Sequence, residues 1–302
     1  MKLINIDGGG YFATVNLSRG ANCVCLRDEK HGIRILREPD YSRGELDNPY
    51  LYGMPILFPV NRISGGCFEF EGRTYSFPVN EPKTGCHLHG ELHRTEFDLL
   101  EASPSRVLCS YRANTGEYLG FPHAFEIKIE YSLGDGGFSH KTTVTNLSAE
   151  NMPCMLGFHT TFNARLEGGG VKALVDISEE YRRNMQNYLP TGEKPEPDEV
   201  TEKLKTAEFS PFEAVISRHY RAGKTGLMSL SGEKFKIVYE NDEKFAFRLI
   251  YNGAANEYIC LEPQNCLANA PNAPFSREEC GFDFIAPGET KTYNSKIYVE
   301  EK

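Results

Sequence analysis

The sequence predicts an all-β protein, a large antiparallel β-sandwich, and three observations carry that prediction. Apolar and polar residues alternate in many short segments, glycine-bearing turns separate those segments, and helical periodicity is almost absent. The most regular stretch is Phe125, Ile127, Ile129, Tyr131 and Leu133, alternating with Glu126, Lys128, Glu130 and Ser132. The turn Gly134-Asp135-Gly136-Gly137 then sends the chain back as a Thr-rich run to Asn146, an antiparallel pair.

The remaining elements follow in order. Tyr11, Ala13 and Val15 alternate with Phe12, Thr14 and Asn16, and Cys23 to Leu26 forms a second apolar patch. Gly8-Gly9-Gly10 reads as a turn, because it lacks the following helix and downstream lysine of a phosphate-binding loop. Phe68, Phe70, Tyr75 and Phe77 flank Gly72 with period 2, which predicts a hairpin, and Val107 to Tyr111 is another short strand. Glu179 to Asn187 shows no apolar face, and Leu189 to Pro197 reads as loop. Strands resume at Phe235 to Tyr239, Phe245 to Tyr251 and Tyr258 to Leu261, and Lys291 to Glu300 closes the chain after the turn at Ala286 to Glu289. No composition break marks a boundary, so residues 1–302 are expected to form one domain.

Composition narrows the function class. With 40% hydrophobic and 25% charged residues the chain has enough apolar material for a sizeable core. Its net charge of -9 is interspersed, without the clustered Lys/Arg footprint that neutralises phosphates, so no nucleic-acid partner is expected. The mixed charges from Glu193 to Lys205 read as a solvated face. No apolar run is long enough for a membrane span, and Met1 to Asp7 meets a charge and a glycine run too soon for a signal peptide; no membrane partner and a cytoplasmic location are expected. The nine cysteines show no Cys-x-x-Cys spacing and read as reduced, mostly buried small residues.

Four places carry chemistry. In His87-Leu88-His89-Gly90 the two histidines share one side if the backbone is extended, a metal-ligand spacing of cupin barrels; the accompanying glutamate is misplaced, Glu91 being too early and Glu96 too late. Hydrogen-bonded loop histidines are the other reading. His159, in Gly157-Phe158-His159-Thr160-Thr161-Phe162-Asn163, suits either a core histidine or a site. Glu262 follows the apolar run Tyr258 to Leu261 and precedes Pro263; it faces water or, if buried, has a purpose that offsets the cost of burial. Arg62 offers a rim salt bridge or a rigid fork of donors for a polyhydroxyl or anionic ligand.

Taken together these segments resemble the aldose 1-epimerase, or galactose mutarotase-like, family. The resemblance is collinear: Pro59-Val60-Asn61-Arg62-Ile63, Leu88-His89-Gly90, Thr145-Asn146, Met152-Pro153, Gly157-Phe158-His159, Phe162-Asn163, Leu189-Pro190-Thr191-Gly192-Glu193, Leu261-Glu262-Pro263-Gln264 and Ala286-Pro287-Gly288-Glu289. It implies a β-supersandwich with a sugar cleft on one sheet. It also implies Glu262 as general base at the anomeric hydroxyl, His159 as general acid at the ring oxygen and His89 as their assistant. Asn61, Arg62 and Gln264 are the implied substrate contacts. Where family members often carry an aspartate that holds sugar hydroxyls, this chain has Ile216-Ser217-Arg218-His219-Tyr220, without an acid. Arg218 and His219 there become further substrate-binding candidates, suited to an anionic sugar if they line the cleft.

The implied reaction moves two protons and no heavy atom, so one base and one acid suffice, with no metal and no organic cofactor; the implied partner is a small-molecule sugar. An ordinary histidine pKa and a carboxylate ionised in a solvated cleft are expected. Two alternatives stand beside this reading: a carbohydrate-binding or regulatory protein that keeps the cleft with weak or no turnover, and a metal-dependent cupin-like enzyme using His87 and His89.

Overall fold

Two antiparallel sheets dominate the computed structural model, which describes residues 1–44, 48–253 and 257–302. The larger has eight strands in the order Asp98–Ser103, Arg106–Ala113, Phe125–Gly134, Gly137–Asn146, Thr290–Glu301, Phe235–Asn241, Leu227–Ser231 and Lys172–Val175. Its centre is the pair legible in the sequence, in register from Phe125 opposite Asn146 to Gly134 opposite Gly137. Phe125, Ile127, Ile129 and Tyr131 are fully buried along one face. Burial of the first three stabilises the fold by about 2 kcal/mol each.

The second sheet has seven strands. Ile177–Tyr181, Ser217–Ala222, Phe247–Tyr251, Tyr258–Gln264, Gly157–Phe158 and Ile56–Leu57 follow one another, and Thr161–Asn163 also pairs with Tyr258–Gln264. Ile259 and Leu261 enter a continuous apolar cluster with Phe158, Phe162 and Phe125, which fills the space between the sheets. Period 2 turns Cys260, Glu262 and Gln264 the other way. A smaller four-stranded sheet of Leu3–Gly8, Tyr11–Asn16, Asn22–Asp28 and Ile33–Arg34 adjoins them. The Gly9 and Gly10 turn joins its first two strands with both glycines at positive φ.

The structure departs from the sequence reading in three places. The strand expected to end at Leu261 continues through Pro263 to Gln264. Ile177–Tyr181, Ser217–Ala222 and Leu227–Ser231 are strands that alternation did not reveal, since Ser217–Ala222 is polar yet covered on both sides. The charged stretch before Lys205 contains an α-helix, Glu199–Lys205, capped by Asp198, whose side chain accepts from the Thr201 amide at 3.0 Å. Acidic residues in its first turn and lysines in its last complement the helix dipole, and Leu204 is its buried anchor. Among the described residues no helix is long and apolar enough to cross a membrane. All nine cysteines are free, Cys67 exposed and the others buried.

Candidate active site

The outward face of the seven-stranded sheet brings residues from distant segments into one row. Directly opposed residues share a face. Tyr181 lies opposite His219, His219 opposite Leu249, and Leu249 opposite Glu262. One step along, Ser217, Tyr251, Cys260 and Thr161 form a second row. Above them opens a cavity of about 510 Å³, within the usual range for small-molecule sites, lined among others by Asn61, Arg62, His89, His159, Arg183 and Glu262.

His159 and Glu262 meet on its floor. His159 Nε2 lies 3.2 Å from Glu262 Oε1, out of line for a hydrogen bond, so Oε1 is buried without a partner; His159 Nδ1, elsewhere on the ring, is likewise unpartnered. Glu262 Oε2 accepts from Gln264 Nε2 at 3.1 Å, and Gln264 Oε1 accepts from Asn61 Nδ2 at 3.1 Å. The Asn61 amide donates to His89 Nδ1 at 3.2 Å while the His89 amide donates to the Asn61 carbonyl. This chain ties the carboxyl to His89 and fixes the His89 tautomer: with Nδ1 accepting, the neutral ring carries its proton on Nε2. Asn61 and His89 both adopt left-handed backbone, φ +61° and +63°, residue types that tolerate it best after glycine. That turn takes His89 out of the strand, so it does not share a face with His87, whose Nδ1 lies 2.7 Å from the Pro78 carbonyl and whose ring stacks on Phe77.

Arg62 makes the salt bridge of its first reading and also lines the cavity. It binds Glu81 through Nε and Nη2, at 2.6 and 2.8 Å, and stands 4.5 Å over the Tyr188 ring at the cavity wall. Gln264 is buried beside Glu262 and holds it, rather than lining the cavity. Arg218 turns away, because alternate strand residues face opposite sides; it binds Asp198 and Glu180 at the helix start, with Arg218 Nη2 2.7 Å from Asp198 Oδ2. His219 faces the cavity side but is fully buried against Phe247, with both ring nitrogens unpartnered. The expected contact of Arg218 and His219 with the cleft is therefore not present.

Three residues that the sequence did not single out stand there instead. Tyr50 packs on His89 and His159, ring centroids 4.9 and 5.7 Å apart. Arg183 and Tyr188 come from a loop closed by backbone bonds between Arg182 and Glu193 and between Asn184 and Leu189. Nothing periodic marks that loop; its conformation is set by main-chain pairing together with Asn184 and Asn187, whose side chains accept from the Gln186 and Leu189 amides.

Electrostatics correct a second expectation. The cleft floor is not solvated: Glu262 is 1% exposed, and burial pushes its carboxyl up to about 8 despite the opposing pull of Arg183, Gln264 and Arg62. Burial pushes His159 down to about 3, with Arg62 adding to the effect. His89 is also held well below the ordinary range, by burial and then by His159 and Arg62. At neutral pH the resting pair is a carboxylic acid beside a neutral imidazole, one proton in all.

Comparison with known proteins agrees with this architecture. The profile of the family described as aldose 1-epimerase matches residues 2–298. A galactose mutarotase-like protein from Clostridium acetobutylicum superposes with a TM-score of 0.93 at 28% identity, over 99% of this chain and 95% of that one. A galactose 1-epimerase from Lactobacillus acidophilus shares the fold, with a TM-score of 0.74 at 14% identity over 100% and 95% of the two chains. Among curated proteins, the chromosomal LacX protein of Lactococcus lactis is 29% identical over 155 residues, 50% of this chain and 47% of its own. The uncharacterized YihR of Escherichia coli is 25% identical over 166 residues, 55% and 51% of the two chains. The chain thus spans about half the length of these two curated relatives, whereas the match to the uncharacterized YphB of Escherichia coli, at 23% identity, covers 82% and 83%. On the near-complete family match, the chain belongs to the aldose 1-epimerase family.

Proposed function

We propose that this protein interconverts the α and β anomers of an aldose by acid–base ring opening. The observation that carries the reading is the 3.2 Å contact of His159 Nε2 with Glu262 Oε1 at the cavity floor. In a cyclic aldose the anomeric hydroxyl and the ring oxygen are bonded to one carbon. An acid and a base that serve both oxygens must therefore lie side by side, as these two do. Glu262 takes the hydroxyl proton, the bond from the anomeric carbon to the ring oxygen breaks, and its electron pair takes a proton from His159. The aldehyde carbon rotates about its bond to the neighbouring carbon of the open chain, and closure returns both protons. His89 donates from Nε2 to a sugar oxygen, and Arg62 and Tyr188 form the wall. The electronic change is confined to the sugar, so the residues only move and hold protons.

The productive form has an ionised Glu262 and a protonated His159, which holds the same single proton as the resting form. The same burial favours a second reading, a sugar-binding protein with weak turnover, because the resting carboxyl is protonated. Exchange NMR on a panel of neutral and anionic aldoses separates the two. At least one sugar is expected to be accelerated, and Glu262→Gln and His159→Asn are each expected to lower that rate by roughly 10²- to 10⁴-fold. Saturable binding with no acceleration of any sugar favours the second reading, and unchanged rates in both variants remove the assigned roles.

A further inference from the structure

Charged and titratable groups reach Glu262 from every side of the cavity. His159 stands beside it, Arg62 comes from the start of the strand Arg62–Ser64 and His89 from the turn after Leu88, Tyr50 and Tyr251 flank them, and Arg183 enters with Tyr188 from the 182–193 loop. Most contribute little field. The three neutral or depressed groups, His89, His159 and Tyr50, carry no charge at neutral pH, since burial lowers the histidines and raises Tyr50 to about 12. Arg62 is bonded twice to Glu81, and the field of an ion pair falls off faster than that of a lone charge, so its pull on Glu262 is smaller than that of Arg183.

Arg183 is different. It is 7% exposed, and its Nη2 donates to the Ser217 carbonyl and, at 2.7 Å, to Ser217 Oγ. Among the described residues it forms no ion pair; its partners there are neutral, the Ser217 oxygens and the Tyr188 ring 5.7 Å away, an arrangement that is unfavourable unless a counter-charge lies close. Across the same cavity Glu262 has a buried oxygen without a partner. Each group is what the other lacks.

We infer that Arg183 is a positioning residue for the proposed reaction, the fixed counter-ion that stabilises the ionised form of Glu262 through which the reaction passes. It acts through Glu262 rather than on the sugar. Among the charges near the Glu262 carboxyl, Arg183 exerts the largest downward pull, and Glu262 in turn draws Arg183 upward.

This inference rests on the proposed role of Glu262, and its test separates the two. Wild type, Arg183→Gln and Arg183→Lys are compared over a pH series with an accelerated sugar. In Arg183→Gln the alkaline limb is expected to move up by about one pH unit and the plateau kcat to fall roughly tenfold, because each unit of pKa changes the ratio of ionised to protonated carboxyl by ten. Arg183→Lys is expected to restore most of both. A raised KM with an unmoved limb and kcat would make Arg183 a sugar contact only and overturn the inference. If wild type accelerates no sugar, the proposed function fails, yet carboxyl ¹³C NMR of glutamate-labelled protein still decides this point. The resonance absent from Glu262→Gln must titrate at higher pH in Arg183→Gln than in wild type, and coincident midpoints overturn the inference. Should Arg183→Gln not fold, Arg183→Met, which keeps the stem over the sheet and drops the charge, must show the same displacement.

Discussion

At the scale of the residue, the His159–Glu262 pair sets an unusual pH dependence. Two independent, solvated groups would hold a protonated histidine and an ionised carboxylate together only between about 4.3 and 6.5. The buried pair instead keeps its one proton from about 3 to about 8, because burial moves the two groups in opposite directions. We expect kcat/KM to stay level from mildly acidic pH to about 8 and to fall above it, as the pair gives up its only proton; a decline already complete at pH 7 would contradict this. His159, Glu262 and His89 were legible because they sit in local motifs with an order along the chain. Their protonation was not, because it depends on burial created by segments far away in sequence. Arg183 escaped for a related reason: its place is fixed by the main-chain bonds and asparagine turns of a loop, which leave no periodic pattern.

At the scale of the element, the turn that carries His89 is held by close backbone approach. Gly90 has φ +63°, and a Cβ there would overlap the Phe58 carbonyl and the Tyr118 hydroxyl, both buried. Gly90→Ala is expected to destabilise the fold by roughly 1–3 kcal/mol, seen as a lower melting temperature, and to reduce activity by displacing His89. The helix start gives the opposite pattern. Asp198 caps Glu199–Lys205 and binds Arg218 on the side of the sheet away from the cavity. Asp198→Ala should cost about 1 kcal/mol of stability while kcat and KM stay as they were; a raised KM would place Arg218 in the cleft after all. Period-2 alternation made the strands from Phe125 to Asn146 readable, since one face is core and the other polar. It failed at Ser217–Ala222, where the helix covers one side and the 182–193 loop the other, so neither face needs a distinctive composition.

At the scale of the whole molecule, burying the base works against stability. Glu262 titrates near 4.5 when the chain is unfolded and at about 8 when folded, so the native state holds a proton that the unfolded state releases between those values. Native stability therefore falls as pH rises through that interval, by on the order of 3 kcal/mol at pH 7. Glu262→Gln lacks this penalty and can still accept from Gln264. Its melting temperature should exceed that of wild type by a margin that widens from pH 5 to pH 8, and a constant margin would show that the carboxyl is not buried as described. The sandwich itself was legible from alternation and turn spacing, since both report on which face of a strand meets the core. One further property of the molecule has a practical side. Sixteen tyrosines are present and no tryptophan, and Tyr188 lies in the cavity wall beside two guanidinium groups. Tyr188→Trp would give the chain a single indole fluorophore at the cavity, so that the arrival of a sugar could be timed by its emission, separately from any chemistry that follows.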